Sequence, residues 1–329
     1  MSAARFPPRG WLPVAASWRD DAFRVDWSDF GAAPLNEPFF EDSVARVFRR
    51  PFNRLFLHST PIEALACAAE AARRVPPDGF IFHMSRCGST LVSQMLGALP
   101  GAIAISEAGP IEAVVAARRA RPDLREEDQA RWLAGMIGAL GQARRGDERR
   151  CFVKLDAWHT LDLPLFRRVF PTTPWIFLYR DPVEVLVSHL RRPGMHMIPA
   201  LVPAERFGLE PSESWRDPAR YAARVLAAIC APVAGALALG GGLLVNYAQL
   251  PAAVATTILP HFGVAPDAAD RAAMAQAAAR DAKNPGLPFA ADGPAKQRAA
   301  SAATRALAEA WLGDGYRRLE ALRVGAAAI

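Results

Sequence analysis

A short stretch of the sequence combines glycine, hydroxyl and basic residues in a pattern suited to an anionic ligand. It reads FIFHMSRCGSTLVSQML, residues Phe80 to Leu96. The pattern predicts an apolar strand, a turn at Gly88 and a helix. Such a turn presents free backbone N–H groups, the hydroxyls of Ser89 and Thr90, and the positive end of a helix to one anion. Arg86 adds a cation, so we expect a phosphate or sulfate site.

This loop differs from the usual nucleotide-binding P-loop. The pattern GxxxxGK[ST] requires a glycine at position 83 and a lysine at position 89, and the chain has His83 and Ser89 there. The absent lysine argues against a small-molecule kinase. That activity stays open as an alternative, as does a non-catalytic domain that binds a nucleotide or a partner.

A second basic stretch, RDPVEVLVSHLRR, begins at Arg180. Asp181 and Pro182 are typical of a helix start, which leaves Arg180 at the end of the preceding strand. Ser188 and Arg192 follow along the same helix, so all three side chains could line one groove and bind a second phosphate. The alternative is that Arg180 pairs with a neighbouring acid and Ser188 is an ordinary helix serine.

The elements that position these residues alternate between strand and helix from position 79 onward. This alternation predicts an α/β fold with a parallel sheet covered by helices on both faces. Ligands of such sheets bind beyond the carboxyl ends of the strands. The predicted strands are Phe80 to Met84, Ala102 to Ser106, Cys151 to Leu155, Trp175 to Tyr179 and Leu243 to Asn246.

Composition fits a globular protein. The chain has 329 residues, of which 51% are hydrophobic and 22% charged, with a formal net charge of +6. We predict an N-terminal extension over residues 1–75, packed on an α/β domain over residues 76–329. The basic residues occur in scattered pairs, so a nucleic-acid partner is not indicated. The cysteines show no CxxC spacing, and the first residues show no apolar signal segment. These features favour a cytoplasmic protein.

One uncharged stretch, Val225 to Val245, has about the length of a membrane span. It is rich in alanine and glycine, contains Pro232 and ends near a run of glycines. We therefore predict a buried helix followed by a strand, and no membrane span.

Taken together, SRCGST and FLYRDPVEVLVS resemble the paired nucleotide motifs of sulfotransferases that use 3′-phosphoadenosine 5′-phosphosulfate (PAPS). The resemblance covers about Phe80 to Leu250 and implies a P-loop-like sulfotransferase fold. It also implies that the first loop cradles the 5′-phosphosulfate. The loop residues so implicated are Arg86, Cys87, Gly88, Ser89 and Thr90, with Cys87 in place of the family's common serine.

The same resemblance assigns Arg180 and Ser188 to the 3′-phosphate of the donor. Arg192 falls where the tyrosylprotein branch of the family has a further arginine, and that branch is the most similar in motif spacing. A bidentate arginine backed by a hydroxyl suits a phosphate. Asp292 and Lys296 are four residues apart, which reproduces an Asp and Lys pair in that branch's closing loop. The resemblance therefore implies that Lys296 is a further cofactor contact.

Two further residues match catalytic positions of the tyrosylprotein branch. The match implies that Glu107 is the general base and that Lys154 is a cation that stabilises the transferring group. The family's cytosolic branch has a histidine two residues after this lysine, where this chain has Asp156. We favour Glu107 over Asp156 as the base, and His159 is a third candidate. Sulfuryl transfer needs no metal ion, and we find no metal-ligand cluster in the sequence.

The acceptor is not identified by the sequence beyond a hydroxyl on a small molecule, a carbohydrate or a peptide. We expect its pocket to be lined by the extension, by helices between residues 110 and 143, and by the loop from Arg192 to Gly208. That loop is long, apolar and rich in proline, which suits a lid.

Overall fold

The computed structural model describes residues 9–65, 73–282, 286–288, 290 and 292–326. A parallel five-stranded sheet has the strand order β5-β6-β4-β7-β8, and an antiparallel three-stranded sheet has the order β1-β2-β3. The strands are β1 Trp11–Arg19, β2 Ala22–Asp29, β3 His58–Pro61, β4 Gly79–His83, β5 Ala102–Ser106, β6 Arg150–Lys154, β7 Trp175–Tyr179 and β8 Gly242–Asn246.

The predicted α/β fold class is confirmed, because the five strands expected from the sequence form the parallel sheet. Their observed bounds differ from the predicted ones by a residue at most. Every residue of β4, β5 and β7 is buried. Strands covered on both faces read as continuous apolar runs, which is why these segments are recognisable in the sequence.

Helices connect the strands and cover the sheet. The α-helices are α1 Phe40–Val47, α2 Pro51–Leu55, α3 Ser89–Gly97, α4 Gly109–Ala120, α5 Glu126–Leu140, α6 Leu163–Val169, α7 Pro182–Arg191, α8 Glu213–Arg216, α9 Pro218–Cys230, α10 Val233–Ala236, α11 Leu259–His261, α12 Ala268–Ala278, α13 Gly293–Ala299, α14 Ala302–Ala308 and α15 Asp314–Ala326.

The N-terminal part has more regular structure than the sequence indicates. It forms the β1-β2-β3 sheet, and β2 buries Phe23, Val25 and Trp27 in the same hydrophobic core as the parallel sheet. Phe23 stacks on Trp132 of α5 with ring centroids 5.2 Å apart. A register shift between Pro13 and Ala15 interrupts the alternation of β1, which explains why no period is visible there.

The uncharged stretch folds as a helix and a strand, as predicted. By length and composition alone, Pro218–Leu239 is apolar enough to cross a membrane. In the structure α9 buries Tyr221, Val225 and Ile229. Three cysteines, Cys87, Cys151 and Cys230, are free and buried, and Cys67 lies outside the described residues.

Candidate functional site

The carboxyl ends of the parallel strands bring the predicted site residues to one edge of the sheet. Ser106 of β5 pairs with Lys154 of β6, so Glu107 follows directly beside Lys154. The central strand β4 leads into the loop 84–88, and its neighbour β7 leads into Arg180. Tyr247 follows β8. The order across the edge is therefore the Glu107 carboxylate, the Lys154 ammonium, the loop 84–88, the Arg180 guanidinium and the Tyr247 ring.

The backbone of the first loop is strained. Ser85, Arg86 and Gly88 have φ values of 77°, 52° and 86°, in the left-handed region that favours glycine. Glu107, at the end of β5, also has a positive φ of 52°. Strained residues of this kind cluster at functional sites, and successive amides in such conformations form anion-binding concavities. The geometry thus marks both the loop and Glu107 as functional candidates.

The first turn of α3 presents backbone amides and hydroxyl groups beside this loop. Ser89 and Thr90 are the first helical residues and are buried, and no side chain caps the helix. The first amides of a helix lack intrahelical partners and favour an anion. Cys87 differs from its neighbours, because its thiol points into the core and donates to the carbonyl oxygen of Leu178 at 3.1 Å. Only its backbone is therefore available to a ligand.

Gly88 permits a close approach between the loop and the residues that follow β8. A Cβ atom at this position would lie 2.8 Å from Leu250 and 2.9 Å from the ring of Tyr247. Any larger residue would push these side chains away from the loop. The glycine is required both by this contact and by its left-handed backbone.

Glu107 and Lys154 form a buried ion pair. Lys154 Nζ lies 2.6 Å from Glu107 Oε1, and the lysine side chain is 0% exposed. The angles of the contact fall outside hydrogen-bond geometry, so the ammonium still lacks a well-aligned acceptor among the described residues. Burial alone would raise the pKa of Glu107, but the charge of Lys154 and a contact with His83 hold it below its usual range.

His83 organises both the loop and the carboxylate. Its Nδ1 accepts a hydrogen bond from the Ser85 amide at 3.0 Å, which assigns the proton to Nε2. Nε2 donates to the carbonyl oxygen of Leu155 at 2.9 Å and lies 3.4 Å from Glu107 Oε1. Burial lowers the pKa of His83, so the ring is neutral. It is a positioning residue between the two strained segments.

Asp156 has the opposite electrostatic character from Glu107. Burial raises its pKa to about 7, and the Glu107 and Glu112 carboxylates add to this rise while His159 opposes it. A carboxyl group with a pKa near neutrality is well suited to proton transfer. Its side chain is less exposed than that of Glu107, at 6% against 23%. Glu107 is thus the more accessible group and Asp156 the one with the more favourable pKa.

Three potential metal ligands that are separated in the sequence come together beside this edge. Glu112, Asp156 and His159 place one ligand atom each within 4.8 Å of one another. No spacing pattern in the sequence links Glu112 to the other two residues, so the group becomes visible only in the structure. The carboxylate of Glu112 already accepts hydrogen bonds from His159 at 2.7 Å, Trp158 at 2.8 Å and Arg206 at 2.7 Å. The Glu112 carboxylate of this group is thus already partnered within the chain.

The loop from Arg192 to Gly208 is docked on this cluster. Besides Glu112, Arg206 contacts Asp162, and its guanidinium lies 5.9 Å from the ring of Trp158. The loop that the sequence analysis predicts to be a lid is therefore in contact with residues beside this edge. Opening it would break a buried charge pair.

Arg180 is held by two carboxylates. Its Nε donates to Glu184 at 2.6 Å and its NH2 group donates to Asp292 at 2.7 Å. The guanidinium also lies 3.8 Å from the ring centroid of Tyr247. The alternative that Arg180 pairs with a neighbouring acid is thus observed in the ligand-free chain. Asp292 is half exposed, so one of these partners can be displaced by a ligand.

Lys296 joins the same group from α13. Its Nζ lies 2.7 Å from the second oxygen of Asp292, one helical turn away, and the side chain is buried. Asp292 thus bridges Lys296 and Arg180, two cations that come from distant parts of the chain. A single carboxylate between two buried cations marks a position suited to a phosphate.

The remaining predicted residues lie near the first loop and differ in exposure. Arg86 donates a hydrogen bond to the carbonyl oxygen of Arg192 at 2.8 Å, which ties the loop to the end of α7. Arg192 itself is exposed and Ser188 is half-buried. The two arginines are close enough for Arg192 to lower the pKa of Arg86, after the larger effect of burial.

His196 is a candidate that the sequence analysis did not single out. It lies in the 3-10 helix Met195–Met197, is buried, and its Nε2 atom has no hydrogen-bond partner among the described residues. Its ring centroid is 5.7 Å from that of Trp158. Burial lowers the pKa of His196 to about 3, with smaller effects from charged neighbours that include Glu107 and Arg86. A lone histidine in a loop has no spacing that would have revealed it.

The N-terminal part also reaches the site. The ring of Phe39 lies 4.9 Å from Lys154 Nζ. Glu41 accepts a backbone hydrogen bond from Gly109, the first residue of α4. The segment around Phe39 therefore covers the ammonium group of Lys154 from the N-terminal part of the chain.

Comparison with known proteins gives structural likenesses only. No protein-family model matches the sequence, and no curated protein matches it. Similar solved structures include the sulfotransferase domain of the Synechococcus PCC 7002 olefin synthase, with 18% identity, 76% of this chain and 95% of that chain covered, and a TM-score of 0.43. The sulfotransferase domain of the curacin biosynthetic pathway has 16% identity, 76% and 98% coverage, and a TM-score of 0.45.

A sulfotransferase from Alicyclobacillus acidocaldarius is similar to a comparable degree. It shows 17% identity, with 76% of this chain and 96% of that chain covered, and a TM-score of 0.42. Similarities of this size carry no conclusion about this chain. Statements about activity depend on the residues of the site.

Proposed function

We propose that the protein is a sulfotransferase that moves the sulfuryl group of PAPS to an acceptor hydroxyl. One observation carries this proposal: two separate groups of potential phosphate ligands lie near one sheet edge, with the Glu107–Lys154 pair beside the first of them. A donor with phosphates at both its 5′ and 3′ positions matches two such groups. The absence of a Walker lysine at Ser89 fits PAPS better than ATP.

The first group would hold the 5′-phosphosulfate. The amides at the start of α3, the hydroxyls of Ser89 and Thr90, and the Arg86 guanidinium supply its donors. The second group would hold the 3′-phosphate. Arg180 and Lys296 already share the Asp292 carboxylate, and a phosphate in that position would accept from both cations.

Ser188 and Arg192 belong to this proposal as further 3′-phosphate contacts from α7 and its end. Neither Arg180 nor Lys296 reaches a side chain of these two in the ligand-free structure. Binding would therefore involve rotation of the exposed Arg192 side chain and of the half-buried Ser188 hydroxyl toward the phosphate, and such side-chain changes are common at binding surfaces.

The reaction would be an in-line displacement at sulfur. Glu107 removes the proton of the acceptor hydroxyl while the hydroxyl oxygen forms a bond to sulfur. At the same time the bond between sulfur and the bridging oxygen breaks. The electron pair of that bond stays on the 5′-phosphate of the departing 3′-phosphoadenosine 5′-phosphate (PAP). Lys154, Arg86 and the α3 amides stabilise this charge. Sulfuryl carries less charge than phosphoryl, so fixed cations suffice.

The ion pair between Glu107 and Lys154 implies an order of events. In the ligand-free chain the ammonium holds the pKa of Glu107 low, which makes the carboxylate a weak base. When Lys154 instead contacts a donor oxygen, that restraint weakens and burial favours proton uptake by Glu107. Donor binding would thus activate the base.

Nucleotide binding is the direct test. Isothermal titration calorimetry compares PAP, AMP and ATP with magnesium, and we expect PAP to bind far more tightly than AMP. Transfer from labelled PAPS to a panel of phenol, sugar and peptide hydroxyls then tests turnover. Tight binding of ATP with magnesium and equal affinities for PAP and AMP would point to the kinase alternative. Tight PAP binding without transfer would leave a non-catalytic nucleotide-binding domain.

A further inference from the structure

An exposed apolar segment lies in the N-terminal part, away from the residues assigned above. Helix α2 ends at Leu55, the chain turns at Phe56, and β3 begins at His58. The side chains of this turn are largely exposed. The exposed fractions are 47% for Phe52, 76% for Leu55, 58% for Phe56 and 65% for Leu57. We refer to residues 49–57 as the Arg49–Leu57 tip.

Consecutive exposed residues distinguish this tip from a helix or sheet face. Leu55, Phe56 and Leu57 are adjacent in sequence and all three are exposed, so the segment protrudes from the surface. The rings of Phe52 and Phe56 are in contact with each other, with centroids 4.9 Å apart. Large contiguous apolar surface of this kind indicates an interaction site.

Basic side chains surround the apolar ones. Arg49, Arg50 and Arg54 are all exposed. The only hydrogen bond of these side chains to the described residues runs from Arg54 Nε to the carbonyl oxygen of Phe48. No carboxylate of the described part of the chain pairs with any of the three. The tip therefore carries a positive charge that the fold leaves unneutralised.

We propose that the Arg49–Leu57 tip binds the surface of an anionic lipid bilayer. The apolar side chains would enter the boundary between headgroups and acyl chains, and the arginines would contact the headgroup phosphates. A protruding tip with aromatic and leucine side chains beside arginines matches this boundary. An acidic protein would need a cavity shaped to receive three consecutive side chains, so the bilayer is the simpler partner.

Vesicle co-sedimentation tests the proposal with the full-length chain and needs no acceptor or donor. We expect binding to vesicles of phosphatidylcholine and phosphatidylglycerol in equal parts, and much weaker binding to pure phosphatidylcholine. The double variant Leu55→Glu with Phe56→Glu should lower the partition coefficient by at least about tenfold. Arg49→Gln with Arg50→Gln should remove most of the difference between the two vesicle types.

A matched control separates the tip from general hydrophobicity. Leu239 is 46% exposed in the 3-10 helix Leu237–Leu239, outside the N-terminal part, and Leu239→Glu should bind vesicles as the parent does. Thermal unfolding should show that all variants are folded. Failure of the parent to bind anionic vesicles, or unchanged binding of the Leu55 and Phe56 variant, would overturn the proposal. So would self-association of the parent that this variant abolishes while vesicles remain unbound, because the tip would then join two copies.

Discussion

Lys154 Nζ lies 2.6 Å from Glu107 Oε1 at the carboxyl edge of the parallel sheet. The contact joins the residue proposed to stabilise the leaving group to the residue proposed to take the proton. Neither can perform its role fully while it is paired with the other. Under the proposed function, the ligand-free chain would therefore be in a resting arrangement, and donor binding would exchange one partner of Lys154.

Glu107→Gln tests the base. The substitution keeps the size of the side chain and removes its basicity, so single-turnover transfer from labelled PAPS should fall by at least about a hundredfold. Affinity for PAP should be nearly unchanged. Asp156→Asn is the comparison, and we expect it to have the smaller effect on transfer. Transfer at the parent rate by Glu107→Gln, together with an inactive Asp156→Asn, would assign the base to Asp156 instead.

Arg180→Ala tests recognition of the 3′-phosphate. The parent should prefer PAP to AMP strongly, and the variant should lose most of that preference because a buried phosphate would lack its guanidinium. Loss of such a charge-assisted pair costs about 2 to 5 kcal/mol. Calorimetry of both nucleotides with both proteins provides the measurement. Equal affinity of the parent for PAP and AMP would contradict the assignment.

Asp292→Asn tests whether the nucleotide displaces an internal carboxylate. Asp292 occupies Arg180 and Lys296 in the ligand-free chain, so a phosphate must compete with it. The asparagine variant should bind PAP more tightly, by about threefold to tenfold, because a neutral amide competes less. Lys296→Met should weaken binding. Weaker PAP binding by Asp292→Asn would mean that the carboxylate positions the two cations instead of competing for them.

His196→Ala tests the buried imidazole of the loop over the site. Its Nε2 has no hydrogen-bond partner within the described part of the chain and should bond to the sulfuryl group or to the acceptor, so the variant should bind PAPS less tightly and PAP about as tightly as the parent. The matched variant His189→Ala removes the neighbouring imidazole of α7. A drop in PAP affinity equal to the drop in PAPS affinity would indicate a purely structural role.

Asp156 should make the stability of the fold depend on pH. Its pKa in the folded chain is about 7, above the ordinary value of 3.8, so the folded state retains a proton that the unfolded state has lost between these values. Its contribution to the unfolding free energy therefore decreases as the pH rises from about 4 to 7, by at most about 1.4 kcal/mol per unit. Asp156→Asn should remove this slope.

Urea unfolding of the parent and of Asp156→Asn at pH 5 and pH 8 gives the comparison. Relative to the parent, the variant should gain more stability at the higher pH. An identical difference at both pH values would show that the carboxyl group titrates as in the unfolded chain.

The parallel sheet could be predicted because each of its strands is a short apolar run followed by a helical pattern. Ala102–Ser106 and Trp175–Tyr179 have the bounds expected from the sequence. The β1-β2-β3 sheet could not be predicted, because a register shift in β1 interrupts its alternation and β3 has only four residues. The pairing of short or irregular strands such as β1 and β3 depends more on their contacts with the core than on the local sequence pattern.

The same distinction applies to the site. Arg86, Glu107 and Arg180 follow strands and Lys154 ends one, so topology alone brings them to one edge. The contacts of Phe39 with Lys154, and the burial of His196, depend on how distant segments fold over that edge. No spacing in the sequence encodes either of them, and the raised pKa of Asp156 likewise comes from burial that only the packed structure defines.

The ring of Phe39 over Lys154 joins two parts of the chain at the proposed site. The residues proposed to act on the donor all come from the part of the chain that begins with β4, whereas Phe39 lies between β2 and α1. Because Phe39 contacts the cation proposed to stabilise the leaving group, a change at Phe39 would also change the surroundings of that cation. Under the proposed function, substitutions in the N-terminal part would therefore affect the rate of transfer even though none of the residues proposed to act on the donor lies there.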